Sequence, residues 1–171
     1  MPMLHGWSNF FIMAGTAGAT LIGLLFVALT VGTGFSTVRG LHSTRAFLTP
    51  TLVHFGTVLF QCLAVLAPWP SMWPIGILLG LDGLAGLAYQ IHVILMQRKV
   101  AFASPDRVDW VLFSIAPALG YTSLTVGGVG LIAEKSFAPY AIAGAIMLLL
   151  FAGVHGAWDL TVRIARNRDK T

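Results

Sequence analysis

The sequence predicts an all-α fold, an integral membrane bundle of five transmembrane helices. Hydrophobic residues make up 57% of the 171 residues, charged residues only 9%, and the mean hydropathy is +0.84. Soluble domains carry about 25% charged residues. No Lys, Arg, Asp or Glu occurs in 1–38, 46–81, 110–133 or 136–158. Each of these windows can hold an apolar span of about 20 residues, the length that crosses a bilayer.

The sequence predicts one transmembrane domain over 1–171. Its first helix is expected to be retained rather than cleaved as a signal peptide, because residues 1–10 contain no Lys or Arg. In chain order, the five helices are predicted over 8–31, 47–67, 72–97, 108–132 and 137–162.

Local breaks separate these helices from one another. Segment 68–74 contains three prolines, which cannot continue a helix, so it divides the second helix from the third. Ser104 and Pro105 are a helix cap and a first-turn proline before the fourth helix. The polar turn 134–136 precedes the fifth helix. The positions of these breaks therefore agree with five separate spans.

The placement of basic residues predicts an orientation. Counting Lys and Arg in the six segments outside the helices gives 0, 2, 0, 3, 1 and 4 in chain order. Cytoplasmic segments carry the excess of Lys and Arg, so we expect the N-terminus outside and the C-terminus in the cytoplasm. Residues 163–171 form the basic cytoplasmic tail. Its cations are expected to bind anionic lipid headgroups: Arg163, Arg166, Arg168 and Lys170.

Small residues recur at helical spacing and predict close helix packing. Gly15, Ala19 and Gly23 follow one another every four residues on the first helix, and Gly80 and Gly83 lie on the third. Small side chains let two backbones approach closely in lipid, where van der Waals contact drives association. The pattern favours packing within the chain, and an interface between copies of the chain is the alternative.

The first helix also carries a resemblance. Segment 15–29, GTAGATLIGLLFVAL, resembles the first helix of small bacterial multi-pass membrane proteins with a glycine-rich GLLFVA helix. The resemblance implies a protein of the bacterial inner membrane. No activity is established for those proteins, so the resemblance implies no function and no catalytic residues.

One carboxylate lies near the middle of a predicted span. Asp82 is on the third helix, with Tyr89 two turns further along and Gln61 at a comparable depth on the second helix. Tyr121 adds a hydroxyl on the fourth helix. A central Asp costs about 2.5–3.5 kcal/mol to insert, so its side chain should face the bundle interior. Two roles are open: a hydrogen bond between helices, or a gating or ion-coordinating carboxylate.

Three helices offer a histidine at one depth near their predicted cytoplasmic ends. These are His54, His92 and His155, and Asp159 lies one turn from His155 on the same helix face. Converging imidazoles can bind haem iron, zinc or copper, and they can also relay protons. Packing histidines are the third interpretation, because no HExxH or CxxC motif accompanies them.

These features favour a self-associating bundle that forms a pathway for an ion or small solute. The first alternative is a non-catalytic accessory subunit of a larger membrane complex or membrane protease. The second is a membrane redox protein that binds haem or a metal through the histidine layer. The sequence carries no catalytic motif, so it favours a protein without enzyme activity and without a cofactor. Its basic residues flank the spans, which predicts contact with lipid rather than nucleic acid.

Overall fold

The structure, a computed structural model, describes the backbone of residues 4, 6–33, 38–100 and 111–168. Side chains are described for residues 4, 6–31, 49–95 and 113–162. A π-helical turn, Val111–Ile115, leads directly into the fourth of the long helices. In chain order, the described long helices are α1 (Ser8–Thr33), α2 (Val38–Leu66), α3 (Met72–Val100), α4 (Ala116–Ile132) and α5 (Ala138–Arg168).

Each of the five helices contains a segment long and apolar enough to cross a membrane. This confirms the predicted all-α fold with five candidate spans. The segments follow the predicted ones closely: Ser8–Val31, Thr49–Leu66, Met72–Leu95, Phe113–Ile132 and Ala138–Val162.

Three helix bounds differ from the predicted ones by more than three residues. Helix α2 begins at Val38 rather than at residue 47, and α5 continues to Arg168, into the predicted basic tail. Hydropathy marks the apolar part of a helix, whereas the backbone hydrogen bonds continue into polar sequence. The fourth helix was predicted from 108, but residues 111–115 form π-helix instead. Pro117 explains this start, because it has no N–H to donate to the carbonyl of residue 113, so a regular α-helix begun at 108 would lose a hydrogen bond there.

The helices differ in how far they are buried. Half of the residues in the spans of α2 and α4 are buried (50% each), and α5 is similar at 44%. The spans of α1 and α3 are only 22% and 17% buried. Helices α2, α5, α4 and α3 contact one another in that order, and α1 packs mainly on α2. Helices α2 and α3 contact each other at few positions.

Glycines set the close approach of α3 to α4. A methyl group at Gly128 would lie 2.7 Å from the Gly76 carbonyl oxygen and would also meet the backbone nitrogen of Gly80. At Gly83 a methyl group would lie 2.7 Å from the backbone nitrogen of Thr125. These distances are shorter than van der Waals contact, so only glycine lets the two backbones come this close.

Only part of the row of small residues predicted on α1 is buried. Gly15 is buried, and a methyl group there would lie 3.0 Å from Cys62 Cβ on α2. Ala19 and Gly23 are exposed instead, while the neighbouring Gly18 is buried against Phe55. Of the predicted row only Gly15 packs against α2 in the described structure, because α2 lies on the adjoining side of α1.

Candidate functional site

Buried polar side chains line one side of α2. Thr51, His54 and Gln61 are all buried, although they lie in the apolar span of the helix. Residues at these spacings share a helix face, and this face is turned toward α3, α4 and α5. Polar groups in an apolar interior need hydrogen-bond partners. The neighbouring helices supply them.

The first pair joins α2 to α4. His54 Nδ1 lies 3.0 Å from the hydroxyl oxygen of Tyr121, and both side chains are buried. The side chain of Thr57 lies near the hydroxyl of Tyr121. The Tyr121 ring packs where a side chain at Gly86 on α3 would otherwise stand. Gly86 therefore gives the tyrosine of α4 access to the polar side of α2.

The second pair joins α2 to α3, the two consecutive helices that contact each other least. Gln61 Nε2 donates to Asp82 Oδ2 over 3.3 Å. Asp82 is half-buried, one turn from Gly86, where the Tyr121 ring packs. Tyr89 is also half-buried, three residues beyond Gly86 on the same helix. The structure thus brings together four of the predicted polar residues: Asp82, Gln61, Tyr121 and His54.

A third contact, made by Gln90, was missed in the sequence. Gln90 Nε2 on α3 donates to the carbonyl oxygen of Phe113 over 2.7 Å. Four residues later, Pro117 has no N–H for that carbonyl, so the π-helical turn leaves an acceptor that Gln90 satisfies. Pro117 predicts the freed carbonyl. Nothing in the sequence placed Gln90, which is on a different helix, opposite that carbonyl.

The three histidines do not converge. His54 is buried, His155 is half-buried with its ring edge against Phe113 at 5.7 Å, and His92 lies on the exposed side of α3. Within the described ranges, no three His, Cys, Asp or Glu side chains are arranged to hold a metal ion. The three-histidine ligand set therefore does not form there. Asp159 is half-buried on α5.

The predicted lipid-binding cations fall outside what the structure describes. Helix α5 includes the backbone up to Arg168, but the described side chains end at residue 162. Their interaction with headgroups stays a prediction of the charge pattern: Arg163, Arg166, Arg168 and Lys170.

No family model, curated protein or solved structure matches the chain. Its function must therefore be inferred from the side chains themselves.

We name the group formed by His54, Thr57, Gln61, Asp82 and Tyr121 the polar core. It contains an imidazole, a carboxylate and a phenol within three apolar helices. Each of these groups can accept and release a proton, and their oxygen and nitrogen atoms can solvate a cation.

Proposed function

We propose that the chain is a multi-pass protein of the bacterial inner membrane that conducts an ion through its polar core. The observation that carries the proposal is the buried His54–Tyr121 hydrogen bond beside the Gln61–Asp82 pair. Ionisable groups are costly inside a bilayer, and those that proteins retain there mark ion pathways and proton relays. Two such pairs in a chain with only 9% charged residues support this function.

The depth of the pairs supports a pathway rather than a surface site. Asp82 is ten residues from Met72, the start of its span, which places it about 15 Å along the helix. That is half of a hydrocarbon layer of about 30 Å. A carboxylate at this depth can attract a cation where the barrier to its passage is highest.

The low contact between α2 and α3 supports the same proposal. Gln61 and Asp82 bridge these two helices at a place where few other residues meet. Replacing such a bridge with hydrogen bonds to water is easier than opening a packed apolar contact. An ion can therefore reach the polar core without separating the closely packed α3 and α4.

The orientation belongs to this proposal. The alternating counts of Lys and Arg support an outer N-terminus and a cytoplasmic C-terminus. In that orientation the Gln61–Asp82 pair lies nearer the outer surface, and His54 lies on its cytoplasmic side. Ions entering from outside would meet the carboxylate first.

The test is ion flux into liposomes that contain the purified protein. A pH-sensitive dye reports proton entry, and separate sodium- and potassium-sensitive dyes report the metal cations. We expect flux by the wild type above that of empty liposomes, and loss of most of it in Asp82→Asn and Tyr121→Phe. Wild-type protein that passes none of these ions under any gradient overturns the proposal.

Matched controls separate the polar core from general damage. Glu134→Gln removes an exposed carboxylate in the turn between α4 and α5, and Tyr140→Phe removes a phenol that is 68% exposed. Both should keep wild-type flux, because neither residue belongs to the polar core. Equal losses in the control and core variants contradict a role for the core.

A further inference from the structure

Two buried glutamines each use only half of their amide group. Gln61 is 0% exposed and Gln90 is 1% exposed. The nitrogen of each donates a hydrogen bond, to Asp82 and to the Phe113 carbonyl respectively. The oxygen of each, Gln61 Oε1 and Gln90 Oε1, has no hydrogen-bond partner among the described residues. Buried polar atoms in proteins almost always have a partner.

Rotating either amide does not remove the problem. The nitrogen of Gln61 faces a carboxylate oxygen, and the nitrogen of Gln90 faces a carbonyl oxygen that Pro117 leaves without its usual donor. Exchanging oxygen for nitrogen would set two acceptors against each other at Gln90, and would do the same at Gln61 whenever the Asp82 carboxyl is ionised. The two amide oxygens must therefore face another donor.

The two oxygens lie on either side of the His54–Tyr121 pair along the bundle. Gln61 is bonded to Asp82, and Gln90 lies eight residues after Asp82 on α3, about 12 Å further along the helix. The tyrosine ring from α4 meets α3 at Gly86, midway between Asp82 and Gln90. Polar groups thus recur along the bundle from Gln61 to Gln90.

We propose that each amide oxygen binds an internal water molecule, and that the ion conducted along these waters is the proton. This inference rests on the proposed function. Internal waters in proteins bond to buried polar groups that have no other partner. Water is a donor small enough to reach Gln61 Oε1 and Gln90 Oε1, and it can also bond to a second water.

The chemistry is a chain of proton transfers. Each water accepts one proton from the preceding group and releases one to the next, so one O–H bond breaks as another forms. Asp82 and the His54–Tyr121 pair accept and release protons in the same way, and no oxidant or other co-reactant is consumed. The glutamine amides neither gain nor lose a proton in this chain of transfers. They orient the waters.

A metal cation fits the arrangement less well than a proton. Channels that pass sodium or potassium replace the hydration shell of the ion with rings of oxygen atoms. Here Asp82, the partner of Gln61, and Gln90 are about 12 Å apart along α3, and Asp82 is the one carboxylate of the polar core. A proton needs only a line of donors and acceptors, which is what the described residues supply.

Two measurements test the proposal. Infrared difference spectra in H₂¹⁸O report the O–H stretch of buried waters, and liposome assays report proton flux. We expect Gln61→Leu and Gln90→Leu each to lose a water band and most of the proton flux. Thr122→Val is the control, because the exposed Thr122 hydroxyl bonds only to the Ala118 carbonyl of its own helix in the described structure. It should keep both signals.

A conservative variant guards against misfolding. In its neutral form, the side chain of Gln90→Glu still donates to the Phe113 carbonyl and still accepts from water, so it should keep the water band and the flux. Folded Leu variants with wild-type water bands overturn the water sites. Wild-type flux of sodium or potassium without protons overturns the proton assignment alone. If the wild type passes no ion, the proposed function fails, and the infrared bands decide whether the water sites stand.

Discussion

Hydroxyl side chains on the exposed side of a helix form different hydrogen bonds from those that face a neighbouring helix. The hydroxyls of Thr16 and Thr20 on the exposed side of α1 bond to carbonyl oxygens one turn earlier in the same helix. The half-buried Ser123 side chain instead donates to the Ala141 carbonyl of α5 over 2.8 Å. An exposed hydroxyl can form its hydrogen bond within its own helix, whereas a hydroxyl that faces another helix can link the two helices.

The His54–Tyr121 pair predicts a measurable loss of stability. Tyr121→Phe removes the hydroxyl and leaves the buried His54 nitrogen without the partner it has at 3.0 Å. We expect the free energy of unfolding in mixed micelles to fall by about 1–3 kcal/mol, the cost of an unsatisfied buried polar group. Tyr140→Phe should change it little, because Tyr140 is 68% exposed. Equal stability of both variants would show that the pair contributes nothing.

The turn between α4 and α5 contains one strained residue. Glu134 has φ 51°, and it is the only non-glycine residue with positive φ in the described ranges. A side chain in this region costs about 1–2 kcal/mol, and glycine removes that cost but loses about 0.5–1 kcal/mol of chain entropy. We expect Glu134→Gly to raise the free energy of unfolding by about 0.5–1 kcal/mol in a denaturant titration. Lys135→Gly, where no such strain exists, should lower it instead.

At the scale of helices, the contact of α3 with α4 depends on backbone proximity. Gly128→Ala would place a methyl group 2.7 Å from the Gly76 carbonyl oxygen, and backbone atoms cannot move aside as a side chain can. Overpacking costs about 1–3 kcal/mol, more than the gain of about 1 kcal/mol from replacing glycine in a helix. We expect a net loss of stability in mixed micelles.

Gly144→Ala is the matched control for that substitution. Gly144 lies in α5, and no described atom comes within 4 Å of a methyl group built there. The helix-propensity gain should therefore appear without a clash, and the variant should be as stable as the wild type or more so. Destabilisation by both alanines to the same extent would mean that the close approach of α3 and α4 is unimportant.

The sequence predicted which segments are helices better than which way each helix faces. Apolar windows and prolines gave the five spans, because the apolar length that crosses a bilayer is nearly constant. The rotation of each helix depends on its neighbours, which a single helix sequence does not encode. In the described structure His92 and Ala19 are exposed, although the sequence made His92 a candidate for a converging histidine layer and Ala19 a candidate for helix packing.

The polar core was predictable in part for the same reason. Asp82, His54, Gln61 and Tyr121 stand out as polar residues in apolar spans, so composition alone singled them out. Their pairing needs the relative depth and rotation of three helices. Gln90 was not singled out, although Gln61 was, because its role appears only when the carbonyl freed by Pro117 is placed opposite it.

At the scale of the molecule, the described helices separate a buried part from a peripheral one. Helices α2, α4 and α5 bury about half of their spans, whereas α1 and α3 bury only 22% and 17% of theirs. In lipid such exposure costs nothing, since the surrounding acyl chains are as apolar as the side chains. The polar core lies where α2, α3 and α4 meet, so the peripheral α3 contributes its central carboxylate.

The orientation of the whole molecule yields the last prediction. Cys62 is the single cysteine and is 1% exposed, so it gives little labelling background with a membrane-impermeant maleimide. Introduced one at a time, Lys135→Cys lies in the turn between α4 and α5, and Lys170→Cys lies in the predicted tail. In intact cells we expect labelling of the Lys135→Cys variant and none of the Lys170→Cys variant. Permeabilised cells should label both, which shows that each thiol is reactive. The reverse pattern in intact cells would show that the bundle has the opposite orientation. Protons entering from outside would then meet His54 before Asp82.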